Sequence, residues 1–102
     1  MKAVLAALAA VSVLLASGAQ AQEDKAKAAG CTTCHGIDKK IIGPAYKEVA
    51  AKYRNDKGAE AKLVAKVKNG GKGVWGDIPM PPNAHVKDED IKSIVHWILS
   101  LK

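Results

Sequence analysis

The sequence contains no phenylalanine, and its aromatic residues are limited to two Tyr and two Trp, at positions 46, 53, 75 and 97. It therefore lacks most of the side chains that carry the largest apolar load in ordinary cores. It has only two cysteines. That is too few for a disulfide framework, and there is no second C-x-x-C to complete a zinc site. No apolar run has the length and hydropathy of a confident membrane span. No alternating strand pattern, internal repeat or low-complexity linker interrupts the chain.

The longest apolar run, Ala3 to Ala16, follows the positive start Met1-Lys2 and precedes Ala19-Gln20-Ala21. This is the layout of a secretory signal with an A-x-A cleavage site, and it predicts a mature chain beginning at Gln22. No cysteine stands at that cut to accept a lipid. Residues 1–21 are thus read as a removed signal and residues 22–102 as one domain of 81 residues. At that size an apolar core alone is marginal. A large rigid cofactor, covalently attached, would supply what the missing aromatics do not.

Charge narrows the partners. Lys2 leaves with the signal, so fifteen Lys and Arg face ten Asp and Glu, a formal +5. Acidic protein surfaces, membranes and nucleic acid all attract such a chain. The lysines are scattered and no nucleic-acid motif accompanies them, which excludes nucleic acid as the expected partner.

The chemistry concentrates in Cys31-Thr32-Thr33-Cys34-His35. C-x-x-C-H is the attachment signature of c-type haem. On a helical turn, residues three and four apart share a face, so both thiols meet the porphyrin edge and His35 reaches the iron. A thioredoxin-like site would need a βαβ setting, and a disulfide between Cys31 and Cys34 would close only a tiny loop.

Four helices are expected. Residues 23–29 begin with two acids and end before Gly30. Residues 44–54 carry Ala45, Tyr46, Val49, Ala50 and Tyr53 at helical spacing, with Pro44 suited to the first position. Residues 59–68 place Leu63, Val64 and Val67 on one face, and Asn69-Gly70-Gly71 ends them. The last helix opens near Asp88, the chemically preferred cap, with a stripe of Ile91, Ile94, Val95, Ile98 and Leu101. Between the last two helices, residues 72–86 hold Gly73, Gly76, Pro79, Pro81 and Pro82 and follow neither period. A long irregular stretch in a small domain is usually functional.

A second iron ligand must come from Met80, His85, His96 or a lysine. Met80 is the only methionine beyond the signal, and it lies in Ile78-Pro79-Met80-Pro81-Pro82, where the prolines restrict the backbone. His/Met pairing is usual in cytochromes c. His85 or His96 would make a bis-His site instead.

Taken with G-P-A-Y-K-E-V-A-A-K-Y, K-N-G-G-K-G-V-W-G, I-P-M-P-P-N and W-I-L-S-L-K, the attachment motif resembles the class I c-type cytochromes, in particular the small bacterial cytochrome c-551 group. The resemblance covers essentially all of residues 22–102. Residues 84–88 are slightly longer than in that group, which leaves the start of the last helix open. The resemblance implies an all-α, single-domain cytochrome c fold of about four helices around one covalent haem c, with the first and last helices crossing near the attachment site. It implies Cys31 and Cys34 as thioether anchors and His35 and Met80 as axial ligands. It also implies that the Pro44 carbonyl accepts the other ring N–H of His35, that Trp75 donates to a haem propionate, that the Asn83 amide approaches the Met80 sulfur, and that Lys66 lies near the propionates. The expected function is a soluble, monomeric, periplasmic one-electron carrier, not an enzyme. Its partners would be a membrane cytochrome complex and a terminal reductase or oxidase.

Overall fold

The computed structural model describes residues 18 and 20–102, and α-helices form its framework. Helix α1 runs through residues 20–28. A 3-10 turn at Cys31–Thr33 comes next, then α2 (Tyr46–Lys52), α3 (Ala59–Asn69) and α4 (Asp88–Ser100). Among the described residues there is no strand, only two isolated antiparallel bridges, His35 with Lys40 and Gly71 with Met80. The expected signal lies almost wholly outside the described residues. Helix α1 continues through the expected cut after Ala21, because Gln20 and Ala21 are as permissive of helix as Gln22 and Glu23.

The core forms where α1, α2 and α4 meet. Ala26 has no exposed surface and packs with Tyr46 and Val49 of α2 and Ile94, Trp97 and Ile98 of α4. A methyl side chain at 26 lets the first and last helices approach closely, and Lys25 and Asp90 pair across the crossing at 3.6 Å. The buried stripe of α4 is broader than its aliphatic spacing suggested, because Trp97 joins Ile91, Ile94, Val95 and Ile98. His96 faces outward, 3.9 Å from Glu60 of α3.

Besides α1, which begins upstream of Glu23 and ends at residue 28, two helix starts differ from the sequence reading. Pro44 is not the first residue of α2; Ala45 is extended, with ψ 143°, and the helix begins at Tyr46. The unpaired N–H groups of its first turn find acceptors outside the helix: Tyr46 donates to the Gly36 carbonyl at 2.9 Å and Lys47 to that of Ile37 at 3.1 Å. The helix is therefore tied directly to the segment after the C-x-x-C-H motif. At α4 the cap position is Lys87, not Asp88. Asp88 is the first helical residue, and its carboxylate takes Lys68 of α3 at 2.6 Å, which holds the carboxyl below its ordinary range. This exposed pair closes the irregular stretch at both ends.

Candidate haem site

The attachment motif folds as a tight turn. Cys34 and His35 both donate backbone N–H to the Cys31 carbonyl, at 3.2 and 3.0 Å. The chain then loops out and returns, with Ile42 and Gly43 donating to the Cys34 carbonyl at 3.1 and 2.7 Å. Cys31 and Cys34 are free, half-buried thiols. Burial pushes the Cys31 thiol up, while the Tyr46 hydroxyl beside it works the other way. Tyr46 is itself raised by burial, so it stays neutral.

His35 is fixed on three sides. Its Nδ1 lies 2.8 Å from the Pro44 carbonyl oxygen, which can only accept, so Nδ1 carries the proton and Nε2 keeps its lone pair. Tyr46 stacks on the ring, with centroids 5.1 Å apart and planes 19° off parallel. Trp97 meets Tyr46 edge-on at 5.7 Å. On a further side, a Cβ added at Gly43 would fall 2.5 Å from His35 Cε1 and 2.9 Å from Nδ1. The Gly43-Pro44 turn signal therefore has a second meaning: only glycine leaves room for the ring. Gly43→Ala is expected to destabilise the protein by ~1–3 kcal/mol through overpacking. The measurement is denaturant unfolding of the holoprotein, and an unchanged midpoint would contradict the packing argument.

Met80 is held by its backbone. Its N–H donates to the Gly71 carbonyl at 2.8 Å, and its own carbonyl accepts from Gly71 N–H at 3.0 Å. Gly70, at φ 73°, makes this approach possible. A Cβ there would meet the Met80 carbonyl oxygen and lie 2.9 Å from Pro82 N, so another residue would be both strained and blocked. Asn83 completes the clamp. Its N–H donates to the Val67 and Lys68 carbonyls, each at 3.1 Å, and its side-chain amide to Val67 at 3.0 Å and Pro81 at 3.3 Å. The resemblance had aimed that amide at the Met80 sulfur. In this structure its protons are directed to two carbonyls, pinning the Met80 loop to the end of α3.

The remaining candidates are placed as follows. Trp75 is 41% exposed, with the Lys52 ammonium 5.7 Å from its ring centroid and 6.0 Å from that of Tyr53. Lys66 crosses the bridge, since a Cβ at Gly71 would sit 2.6 Å from its Nζ. His85 is exposed. Sequence reasoning missed the Lys52 contact because it joins residues far apart in the chain.

Several observations fit a haem. Two free thiols sit at the motif, one imidazole nitrogen is left with a lone pair, and Met80 offers a soft thioether. Ile41, Ile42, Val74, Trp75 and Ile78, all in the loops bearing His35 and Met80, are between 41% and 66% exposed. Large apolar side chains exposed on the two loops that carry the candidate ligands are the lining an apolar plate requires.

The sequence model of the family described as Cytochrome c matches residues 18–102. The chain belongs to the cytochrome c family. It is 51% identical over 100 residues to cytochrome c-551 of Pseudomonas aeruginosa, covering 96% of this chain and 95% of that one. Cytochrome c-551 of Allochromatium vinosum is 60% identical over 76 residues, 74% of this chain and 81% of the relative. The crystal structure of Nitrosomonas europaea cytochrome c552 superposes with a TM-score of 0.76 at 49% identity, over 78% of this chain and 99% of that one. The fold is that of a small all-α cytochrome c, and the protein is an electron carrier with one covalently attached haem c.

Proposed function

We propose that this protein is a soluble, monomeric, periplasmic one-electron carrier in which Cys31 and Cys34 form the thioethers and His35 and Met80 are the axial ligands. Bound haem supplies a ferric–ferrous couple. The reading is carried by the way the chain holds both candidate ligands through backbone hydrogen bonds: His35 through the Pro44 carbonyl and Met80 through Gly71. Ligands held this firmly change little between oxidation states, which keeps reorganisation small. Fixing the His35 proton on Nδ1 raises the basicity of Nε2. Met80 would hold the iron on the side opposite His35, which would leave no vacant face for oxygen or peroxide, and the protein would act as a carrier and not as an enzyme. Trp75 and Lys66 would serve the propionates, and Asn83 supports the Met80 loop.

The absorbance spectrum of the oxidised protein tests this. Low-spin features with a sulfur-to-iron charge-transfer band are expected. High-spin features would point to an open distal side, as in a peroxidase, a nitrite-reducing subunit or a gas sensor, and would overturn the reading.

Residues 1–21 are proposed to be a cleaved signal that directs residues 22–102 to the periplasm. None of the described helices is long and apolar enough to cross a membrane. The carrier would work between a membrane cytochrome complex and a terminal reductase or oxidase, with no role for nucleic acid. Lys39, Lys40 and Lys72 are exposed on or beside the ligand-bearing loops. Positive charge there speeds encounter with an acidic partner and is screened by salt. Electron-transfer rates with a membrane cytochrome complex are expected to fall as ionic strength rises. A flat profile would show that docking is apolar.

A further inference from the structure

We infer that the mature chain is closed at its N-terminus by cyclisation of Gln22 to a pyroglutamyl lactam, an inference that rests on the proposed cut after Ala21. The cut would leave Gln22 with a free α-amine next to its own carboxamide. Two features of the fold favour the reaction. Gln22 lies within α1, in what becomes its first turn after cleavage, where backbone N–H groups have no acceptor inside the helix. The new amine is therefore uncommitted. The Gln22 side-chain carbonyl oxygen is also buried without a hydrogen-bond partner, so no hydrogen bond to that oxygen has to be broken for the carboxamide to meet the amine.

In the reaction the neutral α-amine attacks Cδ and a C–N bond closes a five-membered ring. The bond from Cδ to the amide nitrogen breaks, and that nitrogen leaves as ammonia, taking up a proton shed by the amine. Nothing is oxidised or reduced and no co-reactant is needed. Nucleophile and electrophile belong to one residue, so proximity is already provided. The product removes a positive charge from the positive end of a helix dipole, where a cation is unfavourable. Glu23, the nearest carboxylate in sequence, instead faces Lys27 at 3.9 Å. The lactam also denies aminopeptidases a free end beside the helix that carries Ala26 into the core.

The test is intact mass and N-terminal sequencing of holoprotein freshly released from the periplasm of a haem-attaching host, with Gln22→Glu prepared in parallel. The expected mass is that of residues 22–102 plus haem, less one ammonia. The chain should resist sequencing until pyroglutamyl peptidase exposes Glu23, and the Gln22→Glu protein should sequence freely from residue 22. A full-mass chain that sequences from Gln22 would overturn the inference while leaving the cut intact. A chain starting at another residue would overturn both, and the mass distinguishes the two cases.

Discussion

Replacing both Cys31 and Cys34 with alanine, in a host that attaches haem, is expected to leave a chain with little helix and no cooperative thermal transition. The buried apolar set is small and dominated by alanine and aliphatic residues, with Tyr46 and Trp97 as its only aromatics. Ile41, Ile42, Val74, Trp75 and Ile78 remain outside it. A domain of this size sits near the limit at which burial offsets chain entropy. Covalent haem contributes by supplying an apolar surface for those side chains to cover, and its attachment at Cys31 and Cys34 keeps that surface on the chain, so packing against it costs no association entropy. Circular dichroism of the haem-free double variant checks this, and a sharp cooperative melt would contradict it.

Changing Met80 should leave the haem attached and alter its redox chemistry, because Cys31, Cys34 and His35 are untouched. Met80→His is expected to lower the reduction potential and remove the sulfur-to-iron band. A neutral thioether suits ferrous iron, whereas a more basic imidazole favours ferric iron. The backbone clamp to Gly71 does not involve the side chain, so the loop should hold the new residue at the same place. Met80→Ala should open the axial position and admit weak peroxidase activity. His85 is the competing ligand, and under that assignment His85→Ala, not Met80→Ala, would change the spectrum. An unchanged band and potential in Met80→Ala would falsify the Met80 assignment.

Much of this was legible in the residues. C-x-x-C-H names its cofactor because thioether chemistry and iron ligation demand that local spacing. Helical periods are local too, and α3 falls within one residue of its expected end. The errors lie where a distant group competes for a backbone or side-chain position. Pro44 stays outside α2 because its carbonyl faces His35 and the helix takes its first acceptors from Gly36 and Ile37. Asp88 leaves the cap to Lys87 while its carboxylate pairs with Lys68, twenty residues earlier.

By itself, then, the sequence determined the chemistry: two thiols, one histidine beside them, and a single proline-bounded methionine beyond the proposed signal, in a chain too poor in aromatics to fill its own core. Tertiary structure alone decided how those groups are held. That Gly43 makes room for the imidazole, that Gly70 and Gly71 let the chain bridge to Met80, and that the Asn83 amide turns to Val67 and Pro81 are outcomes of contact between segments. Each contact depends on excluded volume and hydrogen-bond direction among residues that meet only after folding, which no local spacing encodes.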